Sequence, residues 1–379
     1  MKIRRYNFVS FERPQIDIAM QLIATLTFFS IQLFARTAAK ETCPLVLGHR
    51  GASGLFPEDT AIGYEKAVEF GADFIECDIQ VTKDLQLVCS HDQWIKDICN
   101  VANFEEFSNR LTTFWNTPYG DIVDNFFIID FEVAELKQLL RKQRTKGLNP
   151  NFDHVYPFVT FDEFVAIAKS KGVGIAPEIK LPKVINRVLA QRGINMTIED
   201  LVLNALTKHG YTGSDDKCLL QCFELSTMTQ FQRRSEVKLV FHLETIDQTN
   251  LENLQKIKNE GVYAIGLDKE LIVPRDDKGN CGAPNHDLIE KIHEMGMKIF
   301  PWTFKNELSS LCWDYLGDVQ NELVQFFQLG IDGFFADYPN TVSSFLDRQD
   351  CLLPYSSDSK KDEGWILSPF LAFINALRF

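Results

Sequence analysis

The sequence predicts an α/β fold, a (β/α)8 barrel with an inserted segment over its mouth, and three observations predict it. Short apolar runs alternate with helix-periodic stretches along most of the chain, the pattern of parallel strands joined by crossover helices. Eight or nine such units suit a closed barrel better than an open sheet. One long excursion, residues 92–173, interrupts the alternation and reads as an insertion of the lid or substrate-selecting kind.

Taken in order, the strand-like runs are 45–49, 74–81, 86–91, 174–179, 218–223, 239–243, 263–267, 298–303 and 333–336. The helical patterns between them are 61–69, 133–142, 161–171, 198–208, 226–233, 251–259, 288–295 and 322–329. Only Thr82-Lys83-Asp84-Leu85 separates the second and third runs, whereas a parallel crossover needs about a dozen residues. These two runs therefore form an antiparallel hairpin, which accounts for nine strands where a barrel needs eight. A turn centred on Lys83-Asp84 sets residues whose numbers sum to about 167 opposite one another, so Glu76 faces His91. Within the insertion only two helices and no strong core strand are expected, and 100–131 is its least regular stretch.

The chain has 379 residues, 45% of them hydrophobic, enough for one large domain at 40–350. Its formal charge of −13 argues against a nucleic-acid binder, which presents a broad basic face. An anionic small molecule stays compatible, because a metal and a few local cations reverse the field within a cleft. Residues 1–39 begin with Lys2, Arg4 and Arg5, continue through an apolar stretch and end in small residues, as a signal peptide or a retained signal-anchor does. The tail, 351–379, runs from small residues through a polar spacer to an apolar end, which reads as a GPI signal or a docked helix. Both ends direct the protein to the secretory pathway, as a secreted, vacuolar or cell-surface protein, with membrane association through either end. The sequon Asn195-Met196-Thr197 is compatible with export.

Nine cysteines leave at least one unpaired. Cys218 and Cys222 sit roughly 13 Å apart on one strand, too far to bond. In the expected hairpin register Cys77 and Cys89 face opposite sides and do not pair. Cys43, Cys99, Cys281, Cys312 and Cys351 are the freer candidates.

Catalytic groups of a barrel collect at the C-terminal ends of its strands. His49 and Arg50 end the first strand. Glu76 and Asp78 share one face of the second by the period of two, and Glu178 and Lys180 do the same at the fourth. Glu76, Asp78 and Glu178 offer three hard oxygen donors, a set for Ca²⁺ or Mg²⁺ and not for zinc, which wants cysteine and histidine. Ordinary salt bridges to Arg50 and Lys180 would explain any one of these carboxylates, but not three beside two histidines. His49 and His91 suit a general acid and base. The other histidines, His154, His209, His242, His286 and His293, read as ordinary core or surface residues. Arg50 can clamp a phosphate with its planar fork and Lys180 can add a point charge, while Gly51 permits close approach of backbone to a phosphate.

These motifs resemble the glycerophosphodiester phosphodiesterase family. The matching text is His49-Arg50-Gly51, Pro57-Glu58-Asp59-Thr60, Gly71-Ala72-Asp73-Phe74-Ile75-Glu76-Cys77-Asp78, Thr82-Lys83-Asp84, His91-Asp92, Pro177-Glu178-Ile179-Lys180, Trp302-Thr303 and Asp332 to Pro339. Asp130-Phe131, Glu135-Leu136-Lys137 and Thr160 to Phe164 resemble its plant-like branch. The resemblance implies a TIM barrel and metal-dependent hydrolysis of glycerophosphodiesters, such as glycerophosphocholine, to an alcohol and sn-glycerol 3-phosphate. It implies His49 and His91 as the acid/base pair, Arg50 on phosphate, Glu76, Asp78 and Glu178 on the divalent cation, Ca²⁺ or Mg²⁺, and Lys180 and Trp302 along the substrate. Attack by water, or by the substrate's own 2-hydroxyl through a cyclic phosphate as in related phospholipase barrels, both stay open. Asp59 and Ala336 depart from the usual residues at their positions without touching this chemistry. The competing readings are a lipid-cleaving phospholipase on the same barrel and a non-catalytic extracellular protein.

Overall fold

A computed structural model describes residues 43–145 and 147–349. The leader and the tail, with the expectations placed on them, lie outside the described residues. Among those residues, no helix is long and apolar enough to cross a membrane.

The strands are β1 (Leu45–Gly48), β2 (Phe74–Val81), β3 (Leu87–Cys89), β4 (Thr112–Thr117), β5 (Gly120–Asn125), β6 (Gly174–Ile179), β7 (Leu219–Cys222), β8 (Lys238–Leu243), β9 (Ala264–Asp268), β10 (Lys298–Trp302) and β11 (Gly333–Ala336). Eight of them run parallel in the order β10-β9-β8-β7-β6-β2-β1-β11. The two ends of this row meet: Asp332 N–H donates to the Ile299 carbonyl at 2.9 Å and Phe304 N–H to the Phe335 carbonyl at 2.8 Å. The result is the expected barrel.

The strand runs read as nearly unbroken apolar text because both faces are covered. Leu47, Ala176, Leu219, Val240, Ala264, Phe300 and Phe335 fill the interior. Val46, Ile75, Cys77, Ile79, Ile175, Ile265 and Ile299 pack outward beneath the helices. Alternation on β2 then sends Glu76, Asp78 and Gln80 inward. Thr160 caps the helix Phe161–Lys171 through a reciprocal bond pattern with Glu163. Three helices lie beyond the expected set, the short Lys269–Ile272 and two that start on proline, Pro182–Gln191 and Pro339–Arg348; the fixed φ of proline suits a first helical turn. The expected helix over 133–142 stops at Leu136, because Leu140 and Arg141 leave it to bridge Pro157 and Cys99.

The hairpin of β2 and β3 forms one residue out of the expected register. Ile79 pairs with Cys89, Gln80 with Val88 and Val81 with Leu87. The turn holds three residues, Lys83, Asp84 and Leu85, with Leu85 at φ 59°, and Thr82 N–H donates to the Gln86 carbonyl at 3.0 Å. A slip of one residue exchanges the faces of every side chain. Cys77 and Cys89 therefore share a face and form a disulfide, with Cα atoms 5.5 Å apart, against the expectation that they do not pair. Glu76 does not face His91 either: β3 ends at Cys89, and His91 lies in the following loop, its carbonyl held by Gln80 Nε2 at 3.0 Å. Cys281 and Cys312 form a second disulfide. Cys43, Cys99, Cys218 and Cys222 carry none among the described residues, and Cys351 lies outside them.

The segment between β3 and β6 is more ordered than its sequence suggests. It has its own core, in which Ile95, Val101, Phe107, Phe126, Ile128, Phe131, Leu139 and Phe158 are buried. β4 and β5 pair as an antiparallel hairpin within the stretch expected to be least regular. Phe114 of that hairpin stacks on Phe127 with centroids 3.9 Å apart, and its turn, 117–120, reaches the barrel mouth.

Candidate active site

The C-terminal strand ends open on a cavity of about 290 Å³ whose walls include His49, Arg50, His91, Glu178, Lys180 and Trp302. His49 is fixed where β1 leaves the barrel, its N–H donating to the Ala336 carbonyl at 3.0 Å. The chain then turns through Arg50 at φ 54° and Gly51 at φ 85°, and Arg50 N–H donates to Glu76 Oε2 at 2.5 Å. A Cβ on Gly51 would lie 2.6 Å from the Gly63 carbonyl carbon. Glycine at 51 thus serves the packing of this turn on the helix Ala61–Glu69.

Glu76 and Asp78 point inward from β2, and Asp78 stands beside Glu178 in the parallel register of β2 and β6. One oxygen from each of Glu76, Asp78 and Glu178 lies within 4.8 Å of the others, and all three residues are buried. Arg50 Nε is 3.0 Å from Asp78 Oδ2 and Lys180 Nζ is 2.6 Å from Glu178 Oε1. Glu76 Oε1 has no partner at all among the described residues. An orphaned, buried carboxylate oxygen beside two more hard donors fits a divalent cation that the protein would hold there.

Both histidines line the cavity and each is held at Nδ1 by a carboxylate. His49 Nδ1 is 2.6 Å from Asp337 Oδ1, and His91 Nδ1 is 2.7 Å from Asp92 Oδ1. Such contacts fix Nδ1 as the protonated nitrogen and leave Nε2 for proton transfer. Burial, reinforced by Arg50, lowers the pKa of His49, while Asp337 opposes the shift. Burial together with Arg50 and Lys180 drives His91 well below its ordinary value.

A second layer, to which the sequence reading gave no role, supports these groups. Glu58 receives Arg50 Nη1 at 2.8 Å and Arg144 Nε at 2.9 Å. Arg144 Nη1 continues to Asp92 Oδ2 at 2.6 Å, which links the insertion to His91. Glu58, Asp92 and Asp337 stand inside the matching motifs and could have been found from them; nothing in the sequence marks Arg144. His242, read as an ordinary residue, lines the cavity floor, with Nε2 2.9 Å from Gln221 Oε1 and 3.9 Å from Glu178 Oε2. Burial, with Lys180 adding to it, lowers His242 to about 3, so it stays neutral. Trp302 lines the cavity as expected, and its indole N–H has no acceptor among the described residues.

The cluster carries more carboxylates than cations. Glu58, Asp59, Asp78, Asp92 and Glu178 pair with Arg50, Arg141, Arg144 and Lys180, Asp337 has Lys305 at the rim 3.8 Å away, and Glu76 accepts the Arg50 backbone N–H. The excess shows in the titration of its members. Burial, then Asp78 and Asp59, pushes Glu76 well above the carboxylate range. Burial raises Glu178 to about 7 although Lys180 pulls it down, and burial with Asp78 and Glu58 raises Asp59 to about 7. Asp78 is buried too, but Lys180 and Arg50 outweigh burial and hold it below its ordinary value.

Known proteins share this arrangement of sequence and fold. The model of the glycerophosphoryl diester phosphodiesterase family matches residues 49–341. Glycerophosphodiester phosphodiesterase GDPD6 of Arabidopsis thaliana is 31% identical over 324 residues, which cover 80% of this chain and 86% of the relative. Solved structures share the fold, among them the following two. The Oleispira antarctica phosphodiesterase in complex with the product sn-glycerol-3-phosphate has a TM-score of 0.56 at 18% identity, covering 80% of this chain and 97% of its own. A glycerophosphoryl diester phosphodiesterase of Parabacteroides distasonis has a TM-score of 0.55 at 16% identity, covering 84% and 90%. With the match running from His49 of the first motif past Asp337 of the last, this chain belongs to the glycerophosphoryl diester phosphodiesterase family and is a phosphoric diester hydrolase.

Proposed function

We propose that the enzyme hydrolyses water-soluble glycerophosphodiesters to sn-glycerol 3-phosphate and an alcohol, with a divalent cation, Ca²⁺ or Mg²⁺, held by Glu76, Asp78 and Glu178. The observation that carries this reading is the buried carboxylate trio, with Glu76 Oε1 unpartnered, set between two carboxylate-anchored histidines. What a hard divalent cation supplies at such a site is polarisation of a phosphoryl oxygen and neutralisation of transition-state charge. Arg50 adds a planar fork to a phosphate oxygen and Lys180 a point charge. His91, kept neutral by burial and neighbouring cations, takes the proton from the nucleophile, which is water or the glycerol 2-hydroxyl. His49, whose partner Asp337 opposes the lowering of its pKa by burial, gives a proton to the leaving alkoxide.

The test is release of glycerol 3-phosphate from glycerophosphodiesters by the full chain, before and after EDTA and with Ca²⁺ or Mg²⁺ restored. Loss and return of activity are expected; activity indifferent to EDTA would remove the cation from the reading. A cation held there would displace the protons favoured on Glu76, raised well above the carboxylate range, and on Glu178, raised to about 7. Affinity should therefore fall as pH is lowered through that value, so titration calorimetry at about pH 6 should show weaker binding and more proton release than at about pH 8.

Export through the secretory pathway is part of the same proposal. The disulfides Cys77–Cys89 and Cys281–Cys312 support it, since such bonds persist in oxidising compartments. Mass spectrometry on alkylated protein from its own cells should find both pairs oxidised; four free thiols there would withdraw this support.

A further inference from the structure

One short stretch of the insertion docks on the barrel loops. Its backbone is fixed where Lys142 N–H donates to the Ile98 carbonyl at 3.0 Å and Gln143 N–H to Asp153 Oδ1 at 2.6 Å. Three side chains then cross to the barrel. Arg141 reaches the Glu58 carbonyl at 3.0 Å and Ser90 Oγ at 3.1 Å. Gln143 Nε2 reaches the carbonyls of Ser53 and Phe56 at 3.0 and 3.2 Å. These contacts seat the insertion. Arg144 differs from both, because its guanidinium bridges two carboxylates that themselves hold groups of the site, and it lines the cavity with its side chain 31% exposed.

From Arg144 a series of close contacts runs in two directions. Nη1 donates to Asp92 Oδ2 at 2.6 Å, and Asp92 Oδ1 lies 2.7 Å from His91 Nδ1. On the other side Nε donates to Glu58 Oε1 at 2.9 Å, and Glu58 Oε2 accepts from Arg50 Nη1 at 2.8 Å. A carboxylate engaged through one oxygen alone can turn about its Cβ–Cγ bond. With Arg144 on the second oxygen, the plane of Asp92 is set, and with it the direction in which it meets the imidazole. The other histidine lacks this clamp: Asp337 Oδ2, beside His49, has Lys305 at 3.8 Å, beyond hydrogen-bond distance.

Resting on the phosphodiesterase reading above, we propose that Arg144 is a positioning residue, which clamps Asp92 from the insertion and through it holds His91 with its proton on Nδ1 and Nε2 free. A carboxylate on Nδ1–H selects the tautomer whose Nε2 can accept a proton. The docked insertion is then part of the reaction, since lifting Arg144 away would leave Asp92 free to turn and the imidazole free to change tautomer.

The experiment compares the wild type, Arg144→Ala, Asp92→Asn and the double variant, each as the full chain, on glycerophosphocholine. Arg144→Ala should lower kcat by about 10- to 10²-fold while KM changes by less than about twofold. Guanidinium ion at a sub-denaturing concentration should restore part of that loss. The double variant should be no slower than Asp92→Asn, because Arg144 acts through Asp92. NMR of the imidazole nitrogens, without substrate, should show His91 as the Nδ1–H tautomer in the wild type and as a mixture in Arg144→Ala. Urea unfolding of Arg144→Ala near the wild-type midpoint would show that the variant is folded. A raised KM with kcat unchanged would make Arg144 a substrate contact and overturn the positioning role. So would additive losses in the double variant, or a single His91 tautomer in both proteins. No hydrolysis by the wild type would overturn the phosphodiesterase reading, while a tautomer mixture confined to Arg144→Ala would keep the hold of Arg144 on His91.

Discussion

Alanine at His91 should lower kcat by about 10²- to 10⁴-fold, and alanine at His49 should do the same, while cation binding persists in both variants. The expectation follows from position. Both imidazoles line the cavity, and each has its Nδ1 occupied by a carboxylate, Asp92 or Asp337, so the only nitrogen left for chemistry is Nε2. Neither ring belongs to the trio of carboxylates, so a loss of activity accompanied by unchanged calorimetric affinity for Ca²⁺ or Mg²⁺ separates proton transfer from metal loading. The two variants should differ in pH dependence. His91 is the more strongly depressed of the two and is assigned as the base, so the rate of its alanine variant should lose the fall on the acid side. A His91→Ala or His49→Ala enzyme with near wild-type turnover would end the acid/base assignment.

The proposed catalytic groups were legible in the sequence because they stand on strands whose direction the apolar pattern fixes. Once 74–81 and 174–179 read as parallel strands, Glu76, Asp78 and Glu178 had to project from the same end of the barrel. What supports them was less legible. Asp337 reaches His49 across 288 positions of sequence, and Arg144 reaches Glu58 from an insertion with no periodic text around it. Contacts of this separation are fixed by tertiary closure, and no local propensity encodes them. His242 is the core histidine the sequence suggests, buried and bonded to Gln221, although it also borders the cavity.

The hairpin error has a single physical origin. A two-residue turn at Lys83-Asp84 was expected, and the chain makes a three-residue turn that ends on Leu85 in the left-handed region. Glycine or asparagine normally announces such a turn; leucine does not. The extra residue shifts the register by one, and with a side-chain period of two the shift moves Cys89 to the face of Cys77. The β4–β5 hairpin escaped notice for a related reason. Its core-facing apolar residues, Phe114 and Ile122, are few and only partly buried, while Trp115, Tyr119 and Val123 are exposed, so no clean alternation marks the strands.

Methionine at Arg141 should destabilise the fold by about 3–5 kcal/mol, the usual cost of removing one partner from a buried charge cluster. Arg141 is fully buried. Its Nη2 donates to the Glu58 carbonyl at 3.0 Å, its Nη1 to Ser90 Oγ at 3.1 Å, and its guanidinium lies over the Phe158 ring at 4.7 Å. Asp59 Oδ2 is 3.7 Å away. One side chain thus ties the core of the insertion to the loop beneath Arg50. Methionine keeps much of the volume but removes the cation paired with Asp59, while Glu58 keeps Arg50 and Arg144. The deficit should depend on pH in a definite direction. Burial already raises Asp59 to about 7, with Asp78 and Glu58 adding to it and Arg141 opposing it, so without Arg141 the folded-state value climbs further. A carboxyl raised in the folded state loses stability as pH increases from its unfolded value to its folded one. In the variant that window extends upward, so the extra cost accumulates above about 7. Urea unfolding should accordingly show a smaller difference from wild type at about pH 6 than at about pH 8. Equal stabilities at the higher pH would mean that Asp59 is satisfied without Arg141, and the insertion would then be held without this ion pair.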